Sequence, residues 1–368
     1  MKYVYKKRSY KFIFSFIDMV GNMVFFPLRL FSSRTVRSAG RILMIRCDHI
    51  GDVLSATVIL EPLRKAFPGA VIDFMAPSWA AEVLENNPYI NNVIKFDPPW
   101  FDRRSRGFLR SFKGLKDMIR LVKRGKYDVV VDLRGDARHI MAAFLAGVKY
   151  RLGYGITGGA FMLTHRVPYK GVMHETERNM ALLRPLGIDV PPPGVKLYFS
   201  DEDGKKADHL MQESEIEGKY AVFHTVPGHY TKKWYAANFV RVMRYIHDTK
   251  GLTPVIVGSE GDKGVIKKIM DVADTKVIDI SGKTSLPVLA QVMSRASLFV
   301  GVDSAPAHIA AAVGTPTIIL FSGVNDPSQW APKGGNVKVV YPGEGERLSM
   351  VEPDEVCRII DKLLQVGV

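Results

Sequence analysis

The chain has 368 residues, 47% of them hydrophobic, and a formal net charge of +14. That length and composition suffice for two domains with ordinary cores. The two cysteines, Cys47 and Cys357, stand far apart without metal-ligand spacing. A disulfide framework and a cysteine-built zinc site are therefore both disfavoured, which fits a reducing compartment.

The positive charge is concentrated in two segments, residues 1–41 and residues 103–126, and the rest of the chain is slightly acidic. Such a distribution indicates localised anionic partners rather than a general nucleic-acid surface. No zinc-finger or RRM-type aromatic signature accompanies the basic segments, so no nucleic-acid partner is expected.

The first basic segment contains a mostly apolar stretch at residues 12–31. Polar residues recur there on one narrow helical stripe, namely Lys11, Ser15, Asp18, Asn22 and Arg29. Asp18 and Pro27 disfavour a membrane-spanning helix, and the interruption of the apolar run disfavours a cleaved signal peptide. We therefore interpret residues 1–40 as a basic amphipathic segment that lies in a membrane interface. A spanning helix and a helix packed on the protein itself are the alternatives.

From Arg41 onward, predicted strands and helices alternate. Strands are predicted at 42–46, 71–75, 93–96 and 128–132, and helices at about 53–66, 79–86, 108–124, 137–146 and 174–186. This alternation is typical of a parallel α/β domain, which we place at residues 41–190. Three prolines and a glycine at 191–194 cannot continue a helix and predict an interdomain linker.

A second alternation begins after the linker and defines a second domain at residues 191–368. Its strands are predicted near 220–225, 253–258, 277–280, 298–302, 316–321 and 337–341, and a closing helix is predicted at 354–364. No internal repeat or low-complexity tract is present. The fold class is therefore α/β with two doubly wound domains.

The first motif, residues 46–52, lies where the first predicted strand turns into a helix. Gly51 permits a tight turn and the close approach of a ligand, and Asp52 stands at the helix entrance. The carboxylate of Asp52 suits a general base, although an acid in the first helical turn is also a common cap. Asp48 and His49 are weaker candidates.

The second motif, residues 224–234, follows a predicted strand and carries Lys232 and Lys233. A lysine at this position can stabilise negative charge on a departing phosphate without a metal. A solvated lysine pair is the alternative.

The third motif, residues 298–323, reads as strand, helix, strand. The first strand ends at Asp303, and a short helix follows from Ser304, with His308 one turn inside it. A helix N-terminus at the carboxyl end of a parallel strand offers free N–H groups that suit the phosphates of a nucleotide. A helix of purely structural role would explain the apolar residues but not the Asp, Ser and His at this corner.

The three motifs ILMIRCDHIGDVLSAT, PGHYTKKW and DSAPAHIAAAVGTPTIILF together resemble glycosyltransferase family 9. This is the family of the ADP-heptose:lipopolysaccharide heptosyltransferases, and the third-heptose type is the most similar. The resemblance covers residues 41–366. It implies the GT-B architecture, in which two Rossmann-like domains face a cleft, an N-terminal domain binds the acceptor and a C-terminal domain binds the nucleotide sugar. It also implies a closing helix that can pack back on the N-terminal domain.

The resemblance also implies site roles. Asp52 matches the proposed general base, Lys232 the phosphate-stabilising lysine, and Asp262 the acid that binds the nucleoside ribose, with Glu260 as an alternative. The expected donor-binding residues are Gly51, Thr225, Lys232, Asp262, Asp303, Ser304, Ala305, Pro306 and His308. The second basic segment belongs to the acceptor domain, and the expected acceptor-binding residues are Arg106, Arg110, Lys113 and Arg134.

We therefore expect an inverting, metal-independent glycosyltransferase without a cofactor, because no Asp-x-Asp pair stands in a setting typical of a catalytic metal. Its expected partners are a nucleotide sugar, foremost ADP-heptose, an anionic lipopolysaccharide-core or related glycolipid, and the inner surface of the cytoplasmic membrane. The alternatives are a family relative that uses another nucleotide sugar and a noncatalytic nucleotide- or glycolipid-binding protein. A dehydrogenase is disfavoured because the Gly-x-Gly-x-x-Gly fingerprint is missing after the first strand.

Overall fold

The computed structural model describes residues 15–24, 36, 38–101, 107–169, 171–228 and 230–365. The chain divides into two compact units, Met1–Pro193 and Gly194–Val368. The division falls inside the proline-rich segment that the sequence predicts to be the interdomain linker.

Residues 15–24 form helix α1, which packs on the first unit through part of its polar side. The Asp18 carboxylate is 1% exposed and accepts a 2.8 Å hydrogen bond from the Gly159 backbone N–H. Gly21 lies directly against the Phe161 ring, where a Cβ would collide. Six apolar side chains of α1 are exposed instead: Phe16, Ile17, Met19, Val20, Met23 and Val24. Within the described residues, therefore, Asp18 faces the protein and the apolar side faces outward.

No helix in the part of the chain that the structure describes is long and apolar enough to cross a membrane.

A six-stranded parallel sheet of order β3-β2-β1-β4-β5-β6 forms the centre of the first unit. Its strands are β1 Arg41–Ile45, β2 Val71–Ala76, β3 Asn92–Lys95, β4 Val129–Asp132, β5 Tyr150–Gly153 and β6 His165–Arg166. The central strands β1 and β4 are buried almost throughout, as parallel strands covered on both faces are.

Helices cover the sheet of the first unit. They are α2 Ile50–Ala56, α3 Leu60–Ala66, α4 Ser78–Ala81, α5 Phe108–Gly125, α6 Ala137–Leu145 and α7 Glu175–Ala181, with 3-10 turns at Thr57–Ile59, Glu82–Leu84, Ala160–Met162 and Arg184–Leu186. Helix α5 buries Met118 and Val122 in the core beneath the sheet, and its lysines and arginines lie on the other side. It ends at Lys126, whose φ of 49° is a left-handed C-terminal conformation.

The second unit repeats this plan. Its parallel sheet has the order β12-β11-β10-β7-β8-β9, and its strands are β7 Tyr220–His224, β8 Thr253–Val257, β9 Ile278–Asp279, β10 Leu298–Val302, β11 Thr317–Leu320 and β12 Val337–Val340. Counted from its first strand, this is the same 3-2-1-4-5-6 order as in the first unit. Both units therefore have the Rossmann order, in which ligands bind where the strand order reverses.

The helices of the second unit are α8 Asp201–Glu213, α9 Ala236–Lys250, α10 Lys263–Met270, α11 Leu286–Ser294, α12 Ala305–Ala312, α13 Pro327–Trp330 and α14 Pro353–Gln365, with 3-10 turns at Tyr230–Lys232, Glu260–Asp262 and Leu348–Met350. The closing helix α14 packs against α9 and β11. Its side chains Val356, Ile360 and Leu363 join the core of this unit.

Each of the ten predicted strands is present within one or two residues of its predicted bounds. Strands β5 and β6 were not predicted. They have four and two residues, and β5 reads Tyr-Arg-Leu-Gly, which is too short and too polar to stand out as an apolar run. β5 pairs with β4, and β6 pairs with β5 at the edge of the sheet.

Candidate functional site

The candidate site of the first unit lies at the carboxyl end of β1, where the strand order of that unit reverses. Helix α2 begins at Ile50, so Gly51 and Asp52 lie in its first turn. The side chain of Asp52 is 14% exposed. The N-cap residue of α2 is His49, and no described side chain makes a capping hydrogen bond to this helix. The Asp48 carboxylate accepts a 3.1 Å hydrogen bond from the His49 backbone N–H, just before the helix.

Arg46 is the centre of a buried ion-pair network around Asp52. Its guanidinium, 1% exposed, lies 3.0 Å from the Asp52 carboxylate, 3.6 Å from Asp48 and 2.8 Å from Glu175. Arg178 in turn lies 3.0 Å from the other carboxylate oxygen of Glu175. Burial opposes the charge on Arg46, but Glu175, Asp52 and Asp48 outweigh it and raise the pKa of the guanidinium. This network fixes the orientation of the Asp52 carboxylate.

His49 adds a second, exposed cation beside Asp52. Its Nδ1 lies 3.0 Å from the Asp48 carboxylate and 3.4 Å from that of Asp52. The hydrogen bonds to Asp48 and then to Asp52 raise the pKa of His49 to about 9. Burial opposes ionisation of Asp48, yet the hydrogen bond from His49 and the charges of Arg46 and Arg134 hold the pKa of Asp48 well below its usual value.

Asp48, His49 and Asp52 bring ligand atoms within 4.8 Å of one another, close enough to hold a metal ion. The two carboxylates already have Arg46 and His49 as counter-charges. The donor set is thus compatible with a cation, but its charge is compensated by the protein itself.

The three expected acceptor-binding cations that the structure describes lie in two different segments. Arg134 lies close to Asp48, since its Nε is 3.3 Å from the Asp48 carboxylate. Its guanidinium stacks over the Phe101 ring, 5.6 Å from the ring centroid. Arg110 and Lys113 are exposed on the first turns of α5. Arg106 lies outside the described residues.

The candidate site of the second unit lies at the carboxyl ends of β7 and β10, where the strand order of that unit reverses. Asp303 follows β10, is 7% exposed and receives two donors. The Lys232 Nζ lies 2.5 Å from its carboxylate and the Asn325 side-chain amide 2.7 Å from the same oxygen. Trp234, two residues after Lys232, is buried in the core and donates a 2.9 Å hydrogen bond to the Val351 carbonyl. This anchor keeps Lys232 within reach of Asp303.

Ser304 and His224 form a neutral pair next to Asp303. The Ser304 hydroxyl lies 2.9 Å from His224 Nδ1 and donates a 3.0 Å hydrogen bond to the Val302 carbonyl. Burial lowers the pKa of His224 to about 4, against the opposing charge of Asp262. The neighbouring Thr225 hydroxyl is buried without a hydrogen-bond partner among the described residues.

Helix α12 begins directly after Ser304, with Ala305 and Pro306 in its first turn, and the Ser304 side chain does not cap it. Pro306 has no N–H and the Ala307 N–H donates a 3.1 Å hydrogen bond to the Ser304 carbonyl, so this helix start offers an anion the Ala305 N–H and the positive end of the helix dipole. His308 lies one turn further, half-buried.

The ribose-binding candidates Asp262 and Glu260 have different surroundings. Asp262 accepts 2.7 Å hydrogen bonds from both the N–H and the hydroxyl of Ser259 and so closes a capping box. Glu260 pairs with Lys263 at 2.7 Å. One oxygen of Asp262 is therefore occupied by its own loop.

Several residues of the site could not be found from the sequence. Glu175 and Arg178 come from a segment distant from the motifs, Asn325 lies two residues beyond the third motif, and Arg46, although within a motif, had no assigned role. The one signal in the sequence for this network was Arg46 itself, which ends a predicted apolar strand. A buried arginine requires acidic partners.

Both units have a sheet of Rossmann order. The first unit presents a positioned carboxylate at its reversal point, and the second presents a lysine and a helix N-terminus there. These features define an α/β enzyme that handles anionic ligands. Residues 116–356 match the model of glycosyltransferase family 9 (heptosyltransferase), and the chain belongs to that family. It is therefore a glycosyltransferase.

The relatives agree with this assignment. The chain is 28% identical over 338 residues to lipopolysaccharide heptosyltransferase 3 of Escherichia coli, covering 85% of this chain and 96% of the relative. A family 9 glycosyltransferase structure from Veillonella parvula aligns with a TM-score of 0.78 at 23% identity, over 90% of this chain and 99% of that one. The E. coli heptosyltransferase WaaC with ADP-2-deoxy-2-fluoro heptose aligns with a TM-score of 0.68 at 20% identity, over 88% of this chain and 99% of that one. These likenesses confirm the α/β fold.

Proposed function

We propose that this enzyme transfers a heptose from ADP-heptose to a lipopolysaccharide-core glycolipid, with inversion at the anomeric carbon and without a metal. The observation that carries the proposal is the 28% identity to a lipopolysaccharide heptosyltransferase 3 over almost its whole length, together with a motif carboxylate held by Arg46. The third-heptose type of acceptor follows from the same relative.

The proposed reaction is a single displacement. Asp52 takes the proton of the acceptor hydroxyl, the resulting oxygen attacks the anomeric carbon, and the bond from that carbon to the phosphate oxygen breaks with its electron pair leaving on ADP. One bond forms as one breaks, on the opposite face, so the configuration inverts. Asp52 gains the proton that the acceptor loses.

Lys232 and the N-terminus of α12, with its Ala305 N–H, are the proposed stabilisers of the charge that develops on ADP. Preorganised donors of this kind act on charge that appears only in the transition state. Lys232 contacts Asp303 in the absence of a donor, and we infer that Asp303 and Asn325 hold it ready for the phosphates. Thr225, Ser304, Ala305, Pro306 and His308 would line the same donor loop, and Asp262, with Glu260 as the alternative, would contact the ribose.

Metal independence is supported by the counter-charges that the protein supplies, namely Arg46 and His49 in the first unit and Lys232 in the second. In a metal-dependent enzyme, chelation would abolish turnover. We expect EDTA to leave turnover unchanged, and loss of activity with rescue by Mg²⁺ or Mn²⁺ would place a cation in the Asp48–His49–Asp52 cluster instead.

The donor and the stereochemistry are tested together. Purified enzyme is incubated with ADP-heptose, ADP-glucose or a UDP-sugar and a heptose-truncated lipopolysaccharide, and the product is examined by mass spectrometry and NMR. We expect transfer from ADP-heptose with inverted anomeric configuration. Transfer from another nucleotide sugar would identify a different donor, and donor binding without any turnover would indicate a noncatalytic binding protein.

We also infer that the enzyme is peripheral at the inner face of the cytoplasmic membrane. Support comes from the outward apolar side of α1 and from three exposed apolar residues at the start of α5, which are Phe108, Leu109 and Phe112. Basic residues such as Lys113 and Lys116 stand beside the latter. Apolar side chains next to cations suit an anionic bilayer surface.

Vesicle sedimentation tests this inference. Deletion of residues 1–38, or the triple change Met19→Ser, Met23→Ser and Val24→Ser, is expected to reduce binding to phosphatidylglycerol vesicles while both units stay folded. The matched control is Val265→Ser with Val272→Ser, two exposed valines of the second unit. Undiminished sedimentation of the triple variant would exclude α1 as the membrane contact.

A further inference from the structure

The first unit contains a cavity of about 270 Å³ that none of the motifs predicted. It lies where the segment after β6 meets α7 and the 3-10 turn behind it. The residues that determine its chemistry are Tyr154, Arg166, Tyr169, Arg178 and Arg184. Its volume is slightly below the roughly 300 to 1,000 Å³ of pockets for drug-sized ligands, so it suits a single small ring.

The cavity is cationic. Three arginines line it, and no carboxylate is among its described lining residues. Arg178 shares the buried Glu175 with Arg46, and Arg184 pairs at 3.0 Å with the exposed Asp189. The Arg166 guanidinium forms no ion pair with any described carboxylate. An anion entering this cavity would therefore find uncompensated positive charge.

Aromatic rings form part of the wall. The Tyr154 and Tyr169 rings meet edge to face with centroids 5.7 Å apart, and the Arg178 guanidinium stacks 5.7 Å from the Tyr169 centroid. The Tyr154 hydroxyl donates a hydrogen bond to the Arg178 backbone carbonyl, which fixes the Tyr154 ring against α7. A mostly apolar wall with a few fixed polar groups is the usual construction of a small-molecule site.

A larger cavity in the second unit provides a contrast. It measures about 490 Å³ and is lined by three arginines and three aspartates, namely Arg241, Arg244, Arg358, Asp248, Asp354 and Asp361. Its charges are balanced, so it offers no comparable preference for an anion. The excess of positive charge is specific to the cavity of the first unit.

We propose that the cavity at Arg166 and Arg178 binds one negatively charged sugar residue of the acceptor, through a phosphate ester or a carboxylate on that sugar. Identification of the sugar as part of an acceptor rests on the proposed function. The position is suitable for it, because Arg178 and Arg46 share Glu175, and Arg46 contacts the proposed base Asp52. The cavity is thus connected to the base through buried ion pairs of the same unit, whereas the expected cations Arg110 and Lys113 are not.

The test uses the full chain without any donor. Binding of glucose 6-phosphate, galacturonate, glucose and inorganic phosphate is measured by saturation-transfer NMR and calorimetric titration. We expect at least one of the two anionic sugars to bind and neutral glucose to bind at least tenfold more weakly. The difference between the first two probes tells whether a phosphate or a carboxylate is preferred. Inorganic phosphate binding as tightly as the anionic sugars would reduce the site to a plain anion site and overturn the proposal.

Two variants make the test specific. Arg166→Gln should weaken binding of the anionic sugar about tenfold, the size expected for a lost hydrogen bond to a charged group. Arg124→Gln, which changes an exposed arginine of the same unit that does not line the cavity, should leave binding unchanged. Equal affinity of the parent and Arg166→Gln for every probe would overturn the proposal.

A transfer assay separates this proposal from the proposed function. With ADP-heptose and acceptor, Arg166→Gln should raise the acceptor KM and leave kcat nearly unchanged, since the lost contact is made equally in the ground and transition states. An unchanged acceptor KM in an active enzyme would contradict the cavity proposal and leave the proposed function standing. Binding of anionic sugars by a chain that fails to turn over ADP-heptose would contradict the proposed donor and leave the cavity proposal standing.

Discussion

The two units place opposite chemistries at the same topological position. At the reversal point of the first sheet, Asp52 is a carboxylate surrounded by two cations, Arg46 and His49. At the reversal point of the second, Lys232 is a cation on Asp303, next to a neutral His224. The shared strand order determines where ligands bind, and the residues that follow the strands determine what each unit can do.

The difference also concerns solvent. Arg46 and Glu175 are almost wholly buried, so the network that orients Asp52 is part of the core of its unit. The Lys232 side chain is 18% exposed and belongs to a 3-10 turn, so its ion pair can rearrange when a phosphate arrives. A fixed carboxylate and an adaptable cation suit the roles proposed for Asp52 and Lys232.

The largest expected effect comes from Asp52→Asn. The change keeps the size of the side chain and removes its ability to accept a proton, so turnover should fall by about 10² to 10⁴ fold. Donor affinity and melting temperature should stay close to those of the parent, because Asp52 makes no capping hydrogen bond and Arg46 keeps the carboxylates of Glu175 and Asp48 as partners. Turnover within a few fold of the parent would remove Asp52 from the mechanism.

Lys232→Gln tests the second unit in the same way. Loss of one preorganised donor to developing charge costs about 10² to 10³ fold in kcat. The matched control is Lys233→Gln, which changes an exposed neighbouring lysine and should leave kcat within a few fold. Equal losses in the two variants would mean that only the general positive charge of the segment matters.

The sequence predicted the fold well because long apolar strands such as β1 and β10 are signals in themselves. It assigned Lys232 and Asp303 to one donor-binding site, but not their contact, which forms because both follow the neighbouring strands β7 and β10 of a parallel sheet. It could not predict the contact of Arg46 with Glu175, which are 129 positions apart. Nor could it predict that Asp18 turns inward, because the Gly159 backbone N–H that Asp18 accepts from is 141 positions away.

Arg46→Met tests whether the network of the first unit is structural. Removing one partner of a buried ion pair typically costs about 3 to 5 kcal/mol of the free energy of unfolding, since the partner stays buried and uncompensated. Arg120→Met is the control, because Arg120 and Asp117 form an exposed pair at 2.9 Å. We expect that variant to change stability by less than about 0.5 kcal/mol in urea unfolding. Similar unfolding curves for both variants would contradict a structural role for Arg46.

The smallest expected effect concerns the two histidines and the pH. An unperturbed histidine titrates near about 6.5. The pKa of His49 is raised to about 9, so its stabilising contribution is complete below pH 6.5 and is lost as the pH rises through 9. The pKa of His224 is lowered to about 4, so the fold loses stability as the pH falls from 6.5 towards 4.

These opposite pKa shifts are measured by following the imidazole C–H resonances from pH 4 to pH 10. The variants His49→Gln and His224→Gln assign the resonances. The His49 side chain is 75% exposed, so its pairs are screened by water. The melting temperatures of the parent and His49→Gln should therefore differ at pH 6 by no more than a degree or two, and should converge at pH 10. A His49 resonance that titrates near 6.5 would mean that Asp48 and Asp52 do not hold its proton, and Asp52 would then have Arg46 as its one cationic neighbour among the described side chains.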